Sequence, residues 1–396
     1  MIKGKKILFV IADGMADLPM PELNDKTVLD FACTPNMDWL SENGVLGLAK
    51  TVPDGLPPGS DVANLSLFGY NPKKYFTGRA PLEAANLGIS LGKDDVAFRC
   101  NIVNIQNNCM TDFSAGHIDT EYSRLITEKL NCEFNASNLF FYPGVSYRNI
   151  MVWKDFPHEK FAITTPPHDI QDKDIADYLP CGEGSDILND VMRKSFNIIK
   201  NITRIHSGTP TAVWLWGAGR KPDFETFISK YGLTGSTISA VDLIHGIGKS
   251  LGLDSVFVEG ATGYIDTNYA GKAAAALKAL EEKDFIFLHI EAPDESGHEG
   301  NLEHKLKSIQ DIDSIVLSCI LKELDNFEDI TVVVTADHPT PIVLKTHTSD
   351  PVPFCVYRNK GSIKSGLKLS EKNAKLSGLY IHDGYQLLSM IIHNEI

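Results

Sequence analysis

The chain has 396 residues, 43% of them apolar and 22% charged, and 51 acidic against 37 basic side chains leave a formal charge of −14. That apolar share supports a sizeable core and excludes wholesale disorder, and at roughly 150 residues per domain the length has room for two or three domains. A net acidic surface argues against a nucleic-acid or anionic-membrane partner, which needs a basic footprint, but leaves room for a small anion held by local arginines or metal ions.

The N-terminus, Met1 to Lys6, is basic, but the apolar run behind it, Ile7–Ala12, stops at Asp13. That run is too short for a signal peptide, and no run approaches a membrane span. The 7 cysteines are scattered and odd in number, without a C-x-x-C pair. A disulfide framework is therefore not expected, and a cytoplasmic setting is. Ile7–Ala12 is continuously apolar and reads as a buried strand of a parallel sheet. In Cys33-Thr34-Pro35-Asn36-Met37, Thr34 reads as a helix cap. The turn Pro57-Pro58-Gly59 precedes a helix opening at Ser60. Ala270–Glu282 reads as a helix, Phe285–Ile290 as a buried strand, and His304–Leu324 as a helix with Leu306, Ile309, Ile312, Ile315 and Val316 on one face. Thr331–Ala336 and Val352–Tyr357 read as further strands, and Gly384–Ile392 as a closing helix. Alternating strands and helices predict a doubly wound α/β layer.

The middle of the chain differs. Its expected strands are shorter: Ala97–Val103, Asn138–Tyr142, Arg148–Trp153, Phe161–Thr164 and Ala212–Trp216. Proline and glycine punctuate it more densely. It reads as a smaller α+β domain at 77–214, inserted into a discontinuous core of 1–76 and 215–396. Trp214 and Trp216 alternate on an apolar strand and are expected in the core.

Ligands of open α/β sheets sit past the carboxyl ends of the strands. Asp13 follows the first strand, Asp294 and His298 follow the Phe285 strand, and Asp337, His338 and His347 follow the Thr331 strand. Each carboxylate alone can be a helix cap and each histidine a solvated side chain. Six together, at three strand ends, predict a metal centre. Mixed oxygen and nitrogen donors suit Mn²⁺ or Zn²⁺ better than Ca²⁺, and six donors are too many for one ion and right for two. Ser60 is open to two readings, an N-cap or a nucleophile whose hydroxyl a nearby dication activates. No G-x-x-x-x-G-K-[ST] loop occurs, which argues against a P-loop kinase.

The set Asp13, Gly59-Ser60-Asp61, Asp294-x-x-x-His298, Asp337-His338 and His347 resembles the alkaline phosphatase superfamily. Within it the chain closely resembles the archaeal-type cofactor-independent phosphoglycerate mutases. The resemblance covers essentially the whole chain. Its strongest blocks are Asp13-Gly14-Met15-Ala16-Asp17, Gly59-Ser60-Asp61-Val62-Ala63-Asn64, Thr77-Gly78-Arg79-Ala80-Pro81-Leu82-Glu83, Ala261-Thr262-Gly263-Tyr264 and Ala336-Asp337-His338-Pro339-Thr340-Pro341.

The resemblance implies an alkaline-phosphatase-like core and two divalent ions, one on Asp13, Ser60, Asp337 and His338 and the other on Asp294, His298 and His347. Mn²⁺ is the expected ion, with Mg²⁺, Co²⁺ or Zn²⁺ as substitutes, and no 2,3-bisphosphoglycerate is required. It also implies that 3-phosphoglycerate and 2-phosphoglycerate interconvert through a phosphoserine on Ser60. Asp61 is then the candidate proton carrier. The inserted domain is expected to close over a small anionic phosphorylated substrate, with His117, Arg148, His168, Asp169 and Arg220 as candidate binding residues. The alternatives on the same site are a phosphomonoester or phosphonate hydrolase and a homoserine-kinase-like phosphotransferase.

Overall fold

The computed structural model describes residues 2–203, 210–361 and 363–396. The described strands run β1 (Ile2–Ala12), β2 (Val45–Ala49), β3 (Val96–Gln106), β4 (Cys109–Asp112), β5 (Leu139–Tyr142), β6 (Arg148–Trp153) and β7 (Ala212–Arg220). They continue with β8 (Gly235–Ile238), β9 (Asp254–Val256), β10 (Phe285–Ile290), β11 (Phe327–Thr335), β12 (Val352–Arg358) and β13 (Tyr380–Ile381). The chain divides into two compact units, one of residues 1–76 and 224–396 and one of residues 77–223.

The first unit is built on an 8-stranded sheet in the order β13-β2-β12-β11-β1-β10-β8-β9. β1 lies parallel to both β10 and β11, with Ile11 opposite His289 on one side and Thr335 on the other. The three apolar runs thus end side by side at one edge, because each is continuously buried and pairs in register. Successive side chains point to opposite faces of a strand, and here both faces are covered. Leu8, Val10 and Ala12 belong to one core cluster with Ala273, Ala276, Ile309 and Ile312. On the other face Phe9 stacks near Phe287, and Phe68 lies 3.9 Å from Phe287 between ring centroids. β12 runs antiparallel to β11, and β2 antiparallel to β12, so the sheet is mixed rather than wholly parallel.

The second unit is an antiparallel sheet around β3, which pairs with β4, β6 and β7, while β5 pairs with β6. The β3–β4 hairpin turns on Asn107 and Asn108, both at positive φ (50° and 63°), the conformation that asparagine tolerates best among non-glycine residues. Leu130, Leu188 and Val191 from the helices Thr120–Phe134 and Ser185–Thr203 share one core cluster with the strands. Trp214 and Trp216 are buried in it, as expected.

Four expectations need correction. The boundary at 214/215 falls inside β7, which pairs with β3 over its whole length and belongs to the inserted unit. Phe161–Thr164 is not a strand; only Ile163 bridges, to Cys181, and its side chain is exposed. The expected His304–Leu324 helix starts at Leu302, where Asn301 caps it, and is interrupted by a π-helical turn at Ile312–Leu317. Thr34 stands at the N-cap of the helix Pro35–Glu42, but its side chain makes no capping bond. Among the described residues no helix is long and apolar enough to cross a membrane.

Candidate metal centre and active site

The carboxyl edge of β1, β10 and β11 carries two clusters of donors. Asp13 continues the ladder past β1 through its amide, which donates to the Ile290 carbonyl at 3.0 Å. This places its carboxylate at the sheet edge, 1% exposed. Asp337 follows β11 and is fully buried. Its Oδ1 accepts from the amides of Gly14 (3.2 Å) and His338 (2.9 Å), and its Oδ2 from Asn64 Nδ2 (2.8 Å). His338 Nε2 lies 3.6 Å from Asp13 Oδ1 and 3.5 Å from Asp337 Oδ2. Neither Asp13 nor Asp337 caps a helix.

Ser60 faces this first group. Gly59, not Ser60, occupies the N-cap, and Ser60 is the first residue of the helix Ser60–Leu67. Its Oγ is therefore free of a capping role and lies 3.2 Å from His338 Nε2. Asn64, one turn along, donates to both the Ser60 carbonyl and Asp337 and so ties the helix to the strand end. Asp61 instead turns its carboxylate onto the amide of Val62 at 2.8 Å.

The second group is Asp294, His298 and His347. Asp294 and His298 are one turn apart in the helix Ala292–Glu299, so they share a face. The Nε2 atoms of His298 and His347 lie 3.3 and 3.4 Å from Asp294 oxygens and 2.9 Å from each other. His298 Nδ1 donates to the Lys345 carbonyl at 3.1 Å, which turns Nε2 toward the cluster. The rings of His338 and His347 are 4.0 Å apart, so the two groups adjoin.

The electrostatics bear on what the site can hold. Burial, with Asp337 and Asp294 nearby, pushes the Asp13 carboxyl well above its usual range. Burial also opposes charge on Asp294, but hydrogen bonds from His298 and His347 hold it well below the usual range. Burial lowers His298 less than Asp294 raises it, to about 9. Asp13 Oδ1 is buried without a hydrogen-bond partner. Two carboxylates and an imidazole gathered at one point, with the Ser60 hydroxyl beside the imidazole, fit a divalent cation, and so do a carboxylate and two imidazoles gathered at the other. The structure thus brings together Asp13, Ser60, Asp337 and His338, and separately Asp294, His298 and His347.

The inserted unit holds the other candidates. His117 lies 5.8 Å from the Tyr147 ring, Arg148 stacks over that ring at 5.5 Å, and His168 contacts Phe113 and Trp216 at 6.1 and 5.4 Å. Asp169 Oδ1 is 3.7 Å from His168 Nε2. Arg220 stands apart from these, stacked over Phe161 and donating to the His158 carbonyl at 2.9 Å.

Four polar features escaped the sequence reading. His289 is fully buried inside the apolar run of β10, with Nε2 3.0 Å from Asp13 Oδ2 and Nδ1 3.2 Å from Ser239 Oγ. Lys305 is fully buried and donates to Asp17 (2.7 Å) and to the carbonyls of Thr340 (2.8 Å) and Ala16 (3.3 Å). Thr340 contacts both Asp294 and His338. In the inserted unit Glu83 pairs with Arg79 and Arg99, each at 2.8 Å, and Arg99 stacks on Trp216 at 4.4 Å. Lys305 alone left a signal: it stands four and seven residues before Ile309 and Ile312, on the apolar stripe of its helix.

Known proteins resemble this chain over nearly its whole length. A family model described as 2,3-bisphosphoglycerate-independent phosphoglycerate mutase matches residues 41–203. A protein of Geobacter sulfurreducens named probable 2,3-bisphosphoglycerate-independent phosphoglycerate mutase is 48% identical, over 98% of this chain and 99% of its own length. A Methanosarcina barkeri protein carrying the same name without the qualifier is 47% identical over the same shares. The solved structure of a Pyrococcus horikoshii protein superposes with a TM-score of 0.78 at 28% identity, covering 99% of this chain and 98% of that one. With nearly half of its residues shared end to end with named members, the chain belongs to the family of 2,3-bisphosphoglycerate-independent phosphoglycerate mutases.

Proposed function

We propose that this chain performs its family's isomerisation of 3-phosphoglycerate to 2-phosphoglycerate through a phosphoserine on Ser60, as a metal-dependent cytoplasmic enzyme that needs no 2,3-bisphosphoglycerate. The observation that carries the reading is Ser60 Oγ. It stands at the start of a helix, uncommitted to capping and 3.2 Å from His338 Nε2, among donors that fit a dication.

Asp13, Ser60, Asp337 and His338 would hold one ion and Asp294, His298 and His347 the other, Mn²⁺ being the best match for this mixed set. Bound there, dications supply charge neutralisation for phosphoryl oxygens and lower the pKa of the serine hydroxyl. The chain's own residues do the rest. Ser60 Oγ forms a bond to phosphorus as the bond from phosphorus to the 3-oxygen breaks. The 3-oxygen takes up a proton, and the freed glycerate turns within the site. Its 2-oxygen then attacks phosphorus, loses its proton, and Ser60 Oγ leaves. Asp61, beside the nucleophile, is the assigned proton carrier. His117, Arg148, His168 and Asp169 are assigned to the substrate, since a guanidinium and imidazoles suit a carboxylate and a phosphate. Arg220, committed to the His158 carbonyl, is the weakest of that set.

The test is phosphorus NMR of Mn²⁺-loaded, desalted protein given 3-phosphoglycerate without 2,3-bisphosphoglycerate or ATP. A growing 2-phosphoglycerate signal at constant total ester is expected, lost by on the order of 10⁴-fold or more in Ser60→Ala. Inorganic phosphate in place of 2-phosphoglycerate would mean a hydrolase on the same residues, and full mutase activity in Ser60→Ala would end the phosphoserine mechanism.

A further inference from the structure

Thr340 is fully buried in the loop after β11, and its hydroxyl faces both donor groups. On one side Oγ1 donates to Asp294 Oδ1. On the other it lies 3.3 Å from His338 Nδ1. A hydroxyl has one proton to give. Asp294 faces two imidazoles and accepts only, so the proton goes to it. The Thr340 oxygen is then the acceptor for an Nδ1–H of His338. That assignment leaves the His338 lone pair on Nε2, the atom that faces Ser60, Asp13 and Asp337. One hydroxyl therefore selects the tautomer of an imidazole in the first group and orients a carboxylate in the second.

The surrounding chain is shaped around this side chain. A Cβ on Gly14, which sits at φ +64°, would come within 2.6 Å of Thr340 Oγ1. A Cβ on Gly297 would come within 2.5 Å of the Thr340 carbonyl and 2.8 Å of its Cγ2. The Thr340 amide donates to Ala16 at 3.3 Å, and its carbonyl accepts from buried Lys305 at 2.8 Å. The loop behind β1, the helix Ala292–Glu299 behind β10 and Lys305 thus hold Thr340 in place.

We infer that Thr340 is a positioning residue that couples the two donor groups, an inference that rests on the reading above that these groups hold two cations. Its loss loosens both groups at once, although it contacts no substrate.

The test is Mn²⁺ binding to the full chain, by elemental analysis and by competition against a metallochromic chelator, for wild type, Thr340→Val and Thr340→Ser. Wild type is expected to bind two ions. Thr340→Val should weaken both by about 10–100-fold, the usual cost of losing an outer partner of a metal ligand. Thr340→Ser, which keeps the hydroxyl, should stay within a few-fold of wild type. A valine variant that binds both ions as tightly as wild type overturns the inference and leaves the metal reading standing. So does weakening confined to one ion, or a serine variant as weak as the valine one. Wild type that binds no ion overturns both readings. If Thr340→Val does not fold by circular dichroism, Thr340→Ala compared with Thr340→Ser decides on the same criterion.

Discussion

The two units bury charge in opposite ways. In the inserted unit Glu83 lies between Arg79 and Arg99, and these guanidinium groups outweigh its burial and hold its carboxyl below the usual range. There the acid is outnumbered by cations of the chain itself. In the first unit Asp13 faces Asp337 and Asp294, and burial with those neighbours pushes it well above the usual range. Such an arrangement is one that a cation among the carboxylates would stabilise. The contrast separates charge countered within the chain from charge that a bound cation would counter.

The largest expected effect breaks the first unit where it does neutralise itself. Lys305 and Asp17 form an ion pair with both side chains fully buried. The ammonium also binds carbonyls in the loops behind Asp13 and His338. Lys305→Met should destabilise the metal-free protein by about 3–5 kcal/mol, because it strands Asp17 as a buried unpaired charge. Lys305→Met combined with Asp17→Asn should recover most of that loss in denaturant titration. A single variant as stable as wild type would show that the pair is not what ties these loops.

A smaller effect should carry the opposite sign. Asp13→Asn removes one of the mutually repelling carboxylates while keeping an acceptor for His289. The metal-free variant is expected to be more stable than metal-free wild type by about 1–2 kcal/mol. In saturating Mn²⁺ the order should reverse, since wild type gains the binding energy and the variant does not. Thermal melts with and without Mn²⁺ check both halves. An Asp13→Asn variant less stable in both conditions would mean that the carboxylate is structural.

Much of this contrast was legible in the sequence, and the failures have physical causes. Ile7–Ala12, Phe285–Ile290 and Thr331–Ala336 announce themselves because strands buried on both faces must be continuously apolar. The residues directly behind them then fall at one edge, and that is why the donors could be named before their distances were known. His289 was hidden by the same rule, since one histidine inside Phe-Ile-Phe-Leu-His-Ile does not disturb the pattern. Thr340 was hidden because a threonine's role depends on what lies across the loop. The expected boundary at 214/215 cut through the expected strand Ala212–Trp216, which in fact runs on through Gly217-Ala218-Gly219 to Arg220. In the structure Gly217 takes φ +66° where the β3–β7 register shifts, and Gly219 has Pro81 and the Thr77 carbonyl 2.7–2.9 Å from where a Cβ would stand. Those glycines permit a bulged strand rather than end one. The π turn at Ile312–Leu317 has no signature in an apolar period that continues across it.

The smallest effect tests the contrast with one residue type in each unit. Glu83 has a lowered carboxyl pKa, so it contributes stability that is present above the unfolded value and lost as pH falls through the folded one. Wild type should therefore exceed Glu83→Gln by about 1 kcal/mol near neutrality, and the gap should close below about pH 4.5. Glu371 in the first unit is half-buried, and its hydrogen-bond partners are neutral, the Thr27 hydroxyl at 2.6 Å and the Asp17 amide at 3.1 Å. Burial outweighs them and raises its carboxyl pKa. Its ionisation therefore costs stability as pH rises above the unfolded value, so Glu371→Gln should gain on wild type above about pH 4.5, on the other side of the unfolded value from the Glu83→Gln window. Denaturation midpoints of both variants from about pH 3 to 8, which spans both sides of the unfolded carboxyl value, would read two slopes of opposite sign, one below and one above about pH 4.5. Slopes of the same sign would mean that the arginines do not dominate Glu83, and that the two units do not differ in how they hold a buried acid.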